Sequence, residues 1–255
     1  MIVMVVHRMK IPVRNKENMQ NNYIVSIKKI IILLFLCYSF SGFAQNRPYV
    51  DDKLLHFGFS IGINFMDYGT RGALEAPDGV EYAVRTKNML PGFSVGLVSD
   101  LRLCRYLNLR FCPAFHFGQK TLTYHPINQE DMTNKRTEVL SLPLTVPLYL
   151  KWSAEREMNY RPYLIGGGGI SFDFGPDKKR PILQRRLDYF VEVGFGVDFY
   201  FSWFKLCPQL TYSIGFNNVL VPVAERPDVP KTDQWYTNAL DKLISHQINL
   251  TFNFE

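Results

Sequence analysis

The stretch 244–254, ISHQINLTFNF, decides the fold. Its even positions read Ile, His, Ile, Leu, Phe, Phe, and the odd positions between them Ser, Gln, Asn, Thr, Asn. A period of two places the first set on one face of a β-strand and the second on the other. Working outward, the same alternation predicts seven more strands, at 54–66, 92–103, 106–118, 139–152, 161–174, 187–201 and 205–216. Two are especially regular. The fourth sets Leu140, Leu142, Leu144, Val146, Leu148, Leu150 and Trp152 against Ser141, Thr145, Tyr149 and Lys151, and the sixth sets Tyr189, Val191, Val193, Phe195 and Val197 against Asp188, Glu192 and Asp198. The fifth is expected to be the least regular, because Gly166–Gly169 interrupt it; four glycines there permit a bend or close packing of large neighbours.

Connection lengths arrange these strands. Links after the first, third, fifth and seventh (67–91, 119–138, 175–186, 217–243) are long, and those after the second, fourth and sixth are short. Long loops at one end and short turns at the other are the plan of outer-membrane barrels, whose short turns are periplasmic. Each strand reaches the roughly 9–11 residues that cross the hydrocarbon at a tilt. The expected fold is therefore all-β, an eight-stranded antiparallel transmembrane β-barrel of outer-membrane type with a filled interior. An even strand number leaves both termini in the periplasm. The final FNFE fits the aromatic end of such chains, with Glu255 departing from the commonest form. Tyr106, Tyr149, Trp152, Tyr160, Tyr163, Tyr200 and Trp203 are expected in an interfacial girdle.

The first 44 residues read as a secretory leader: Lys28 and Lys29, an apolar run from Ile30 to Cys37, then small residues at Gly42 and Ala44. Cleavage is expected between Ala44 and Gln45, with Met19 an alternative start and 45–53 a periplasmic N-terminal segment before the barrel at 54–255. The net charge of +6 then falls to about +1, since the leader holds six of the 29 basic residues and one of the 23 acidic ones. The basic balance thus carries no nucleic-acid signal. Cys104, Cys112 and Cys207 remain, without the spacing of a disulfide framework or a zinc site. No cofactor motif is present, and Gly166–Gly169 is not followed by the GK[ST] of a phosphate loop.

With the apolar face toward lipid, the charged residues share the lumen, and buried ions must be paired. The candidate network is Arg102, Arg110 and Lys151 with Glu192 and Asp198; Asp100 and Lys205 point the same way. At eight strands the bore is filled by side chains, so the network is read as a structural plug. Two alternatives stay open: a soluble lipocalin-like barrel, with the apolar face turned inward, and a small lipid-modifying outer-membrane enzyme. For the enzyme, His56 and His116 lie on polar faces, His125 in a long loop and His246 on the apolar face, and no spacing singles out a nucleophile beside any of them.

The stretches VSDLRLCRYLNLRF (98–111), FHFGQKTL (115–122), YRPYLIGGGG (160–169) and LDYFVEVGFGVDFY (187–200) resemble the PorT family of outer-membrane barrels of Bacteroidota, and the likeness runs from about His56 to the FNFE end. The resemblance implies a non-enzymatic role in the type IX secretion system, which exports proteins such as secreted proteases and gliding adhesins. It implies no catalytic residues and no cofactor. The implied partners are membrane lipid, other outer-membrane and periplasmic secretion proteins, and secreted cargo. Because a filled eight-stranded barrel cannot conduct a folded protein, the role is that of an accessory or assembly subunit working through its loops. Candidate contact loops carry Asp67, Arg71, Glu75, Asp78, Glu81, Arg85 and Lys87, and Pro222, Pro227 and Pro230 with Trp235 and Tyr236.

Overall fold

A computed structural model of the chain describes residues 53–72, 82–86, 90–126, 135–176, 182–226 and 230–255, all within one compact unit, Gln45–Glu255. The leader and its cleavage site at Ala44 and Gln45 lie outside the described residues. Among the described residues eleven strands form the sheet: β1 (Leu55–Gly72), β2 (Tyr82–Thr86), β3 (Pro91–Arg102), β4 (Leu107–Phe111), β5 (Ala114–Pro126), β6 (Lys135–Ser141), β7 (Pro143–Ser153), β8 (Tyr160–Asp173), β9 (Leu187–Tyr200), β10 (Lys205–Gly215) and β11 (Leu240–Phe254). Every pairing between them is antiparallel, in the ring order β1–β11–β10–β9–β8–β7–β4–β3, and β3 returns to β1. Phe59, for example, lies opposite Phe254 on one side and Leu97 on the other. The barrel is closed.

Eleven strands make eight staves. The third is broken between β4 and β5 at Cys112–Pro113, where proline lacks the N–H that would extend the ladder, although the Pro113 carbonyl still accepts the Leu97 amide at 2.9 Å. The fourth is broken at Leu142, whose amide turns to the Asp173 carboxylate at 2.8 Å. The fifth departs from expectation in the other direction. β8 runs unbroken through Gly166–Gly169, opposite Leu150, Tyr149, Leu148 and Pro147. A side chain on Gly167 would collide with the Leu148 carbonyl, so glycine permits close approach here and does not interrupt the strand.

Facing is settled by burial. Phe57, Phe59, Ile61 and Ile63 point outward, 43–70% exposed, while Ser60 and Asn64 between them are buried. The same holds for Val191, Val193 and Phe195 against Glu192 on β9, and for Leu148 and Leu150 against Tyr149 and Lys151 on β7. A soluble lipocalin-like barrel needs the reverse arrangement, so that alternative fails. A ring of exposed aliphatic and aromatic side chains around a polar lumen is stable only where the solvent is hydrocarbon.

The described parts of three long links, the first, second and last, carry regular structure. β1 continues six residues beyond its expected end, β5 reaches Pro126, and β2 and β6 flank β5. The last link holds a short 3-10 turn, Val223–Glu225, and a helix, α1 (Lys231–Asn238), before β11 begins at Leu240. In this upper part the pattern inverts. Met66 and Tyr68 now point inward and are buried, whereas Arg71 points out. Tyr68, Val84, Leu122, Tyr124, Val139, Ile182, Val219, Leu220, Ala239, Leu240 and Leu243 form an apolar cluster that caps the bore at the long-loop end, with Tyr236 of α1 packed against it.

Candidate functional site

Inward-facing side chains stack the lumen in three layers. At the short-turn end lies an ionic floor. β3 and β4 place Asp100 directly opposite Arg110, and β7 brings Lys151 beside Asn108. Arg110 grips Asp100 through Nε (3.0 Å) and Nη2 (2.6 Å), and the same Nη2 reaches Glu255 at 2.6 Å. Lys151 donates to Asp198 of β9 at 2.6 Å and stands 3.7 Å from Asp100, and Lys205 of β10 meets Glu255 at 2.5 Å. Three cations face three carboxylates, all almost completely buried. Desolvating such ions costs several kcal/mol each, which only close pairing can offset. The Tyr163 ring adds a cation–π contact, with Lys151 Nζ at 4.1 Å and the Arg110 guanidinium at 5.5 Å from its centroid.

Above the floor a hydrogen-bonded belt crosses the bore. Tyr149 donates to Glu192 at 2.9 Å, Asn249 reaches the other Glu192 oxygen at 3.4 Å, and Gln247 donates to Asn249 at 2.5 Å. Gln247 also lies 2.9 Å from His116 Nδ1, while His116 Nε2 is 3.0 Å from the Thr145 hydroxyl, which is 3.3 Å from the Ala114 carbonyl. One assignment satisfies this whole chain: the Gln247 amide donates to Nδ1, Nε2–H donates to Thr145, and Thr145 donates to Ala114. Gly167 stands opposite both Tyr149 and Glu192, and its missing side chain leaves the room in which the two meet. A polar chamber of about 80 Å³ occupies this level, lined by residues including Ser60, His116, Lys120, Glu192 and Gln209. Val219 of the apolar cluster also lines it.

Of the five network residues expected from sequence, Arg110, Lys151 and Asp198 meet in the floor. Glu192 stands one layer higher and pairs with Tyr149 and Asn249 in place of a cation. Arg102 is half-buried at the end of β3, opposite Asn108. Glu255 is the floor residue that sequence reasoning missed; its even-spaced neighbours Asn253, Thr251 and Asn249 already place it on the lumen face. The girdle needs correction too. Trp152, Tyr160 and Trp203 point outward, but Tyr149, Tyr163 and Tyr200 are buried, because they share the odd or even face that carries Lys151, Arg161 and Asp198. Tyr106, in the turn after β3, donates to Glu155 at 2.8 Å, and that hydrogen bond holds its phenol above the usual range.

His125 lies on β5 and not in a loop. Tyr236 turns toward the cap, while Glu75, Asp78, Glu81, Lys87, Pro227 and the side chains of Arg85 and Trp235 lie outside the described residues. Cys104, Cys112 and Cys207 are free thiols. Among the described residues no group of three His, Cys, Asp or Glu side chains is placed to hold a metal ion.

A family model described as outer membrane protein beta-barrel domain matches residues 43–221. Among solved structures, Neisserial surface protein A is similar at 8% identity over 79% of this chain and 98% of that one, with a TM-score of 0.39. The outer membrane protein OprG from Pseudomonas aeruginosa is similar at 11% identity over 78% and 93%, TM-score 0.40. The outer membrane protein AlkL in DMPC lipid bilayers stands at 12% identity over 84% and 93%, TM-score 0.37. No curated protein sequence matches the chain.

Proposed function

This chain belongs to the outer membrane protein beta-barrel domain family, and from that premise we propose that it is a PorT-type accessory subunit of the type IX secretion system. In this reading both termini and the short turns are periplasmic, and the long-loop end with its cap faces the outside. The protein carries no chemistry of its own. It works by contact with other outer-membrane and periplasmic secretion proteins and with cargo in transit, bears no cofactor and engages no nucleic acid.

The observation that carries the accessory role is the floor. Arg110, Lys151, Asp100 and Asp198 are no more than 2% exposed and fill the bore from four staves, so cargo has to travel elsewhere. The non-enzymatic reading rests on the resemblance, which carries over no catalytic residue, and His116 takes part in a lumen hydrogen-bond chain with Gln247 and Thr145. The secretion role itself rests on the resemblance of 98–111, 115–122, 160–169 and 187–200 to the PorT family.

Deleting the gene tests it. Secretion cargo is expected to accumulate in the periplasm and to be exported again when the gene is restored. A variant with His56, His116, His125 and His246 all changed to Gln is expected to restore export, and in planar bilayers the purified protein should give no sustained large conductance. Normal export in the deletion strain would end the secretion reading. A stable pore wide enough for folded cargo would end the accessory one.

A further inference from the structure

We propose that an outward-facing groove at the upper rim of the apolar belt, built from Asp67, His246 and Tyr212, is a binding site for a membrane lipid whose head group donates hydrogen bonds. β1 and β11 set Asp67 directly opposite His246, and β10 brings Tyr212 alongside, with its hydroxyl 2.9 Å from His246 Nδ1. The two rings stack with centroids 6.1 Å apart. Immediately below, Phe65 and Ile248 form the next cross-strand pair and line the same groove of about 210 Å³. Above it, Arg71 and Lys242 face water. The groove thus joins an apolar floor to a polar wall at the height where head groups lie.

Its polar atoms are left short of partners. Among the described residues Asp67 accepts one hydrogen bond, from the Tyr68 amide to Oδ1, and His246 Nε2 has none. Both side chains are half-buried where the apolar belt gives way to the polar wall, and a carboxylate and ring nitrogen short of hydrogen-bond partners are costly there. Gly69 holds the space open. A methyl group there would stand 2.6 Å from His246 Nε2, so glycine allows the ring to lie over β1 beside Asp67. A carboxylate at the centre repels phosphate and attracts donors. The matching chemistry is an ammonium or a cluster of hydroxyls carried over acyl chains that run down along Phe65 and Ile248.

The test uses the purified full-length protein in nanodiscs containing equal parts dioleoylphosphatidylethanolamine, monogalactosyldiacylglycerol and dioleoylphosphatidylcholine, the last having no head-group donor. Lipid retained after detergent transfer is read by native mass spectrometry. One donor-bearing lipid should be retained about tenfold over phosphatidylcholine, the size of one charge-assisted hydrogen bond. Retention of the ethanolamine lipid assigns the site to ammonium, and of the galactolipid to sugar hydroxyls. Asp67→Asn and His246→Phe should abolish the preference. Gly69→Ala should do so too, and it changes neither polar group, which covers the case of a folding defect in the other two. Equal retention of all three lipids, or a preference that survives these substitutions in barrels still showing heat-modifiable mobility, overturns the proposal.

Discussion

β1 runs through two regions of the barrel and follows opposite rules in them. From Phe57 to Phe65 its odd residues are apolar and face out, while Ser60 and Asn64 are hidden. From Met66 to Arg71 the hidden residues are Met66 and Tyr68, and the charged ones look outward. β11 repeats this in reverse order. Lys242 faces out beside buried Leu243, and further along Asn249 and Asn253 are buried beside outward Leu250 and Phe252. The backbone does not change at the crossover; its surroundings do. Side chains go to whichever side resembles them, so the boundary between hydrocarbon and water is written into each long stave as an exchange of faces. In the lower region charge pairs hold the interior. In the upper region an apolar cluster does.

That contrast can be broken at either end. Lys151→Met removes a cation from the lower interior and leaves Asp198 buried and unpaired, which should cost about 3–5 kcal/mol. Urea titration of the refolded barrel in vesicles measures it, and adding Asp198→Leu should recover most of the loss. In the upper region Leu243→Ala empties the centre of the cap for about 2–5 kcal/mol. There the damage should stay local, so limited proteolysis would cut the long-loop end while heat-modifiable mobility persists. Uniform loss of the whole barrel would mean that the two regions do not melt independently.

The exchange of faces makes the sharpest pair. Val193→Arg puts a cation into the lower outer surface and should cost about 2–4 kcal/mol at mid-bilayer. Its mirror image, Lys242→Ile on the upper outer surface, should change stability by less than about 0.5 kcal/mol. Equal effects in membrane-insertion assays would place the boundary elsewhere.

Most of the lower region was legible in the sequence, because lipid on one side and a narrow lumen on the other impose strict alternation. All eight staves stand where the period of two puts them, and Asp100, Arg110, Lys151, Asp198 and Lys205 face inward as that period requires. The upper region was read as loops. Its signal is present in β1, where apolar character passes from odd to even positions at Met66, but a search for one sustained phase ends the strand there. In β5 the same change falls between Lys120 and Leu122. Two further features are marked in the sequence but take their form from their neighbours: the Cys112–Pro113 break, which cross-strand pairing spans, and Gly166–Gly169, where close approach of the Leu148–Tyr149 backbone makes glycine a requirement and the strand continues. Glu192 was assigned a cation because a carboxylate in a lumen was assumed to need one; a tyrosine and an asparagine serve instead.

Glu255 has a consequence for how the barrel is assembled. It follows β11 yet pairs with Arg110 on β4, 145 positions away. Sliding β11 by one residue against β1 would swing it from the lumen to the lipid face. The slipped barrel would strand a carboxylate in hydrocarbon and leave Arg110 and Lys205 short of a counter-ion. Near-correct closures are thus penalised far more than their lost ladder bonds would suggest. Contacts this distant in sequence form late and slow folding, but once formed they act as a proofreading step: a seam that admits a single register, checked by charge.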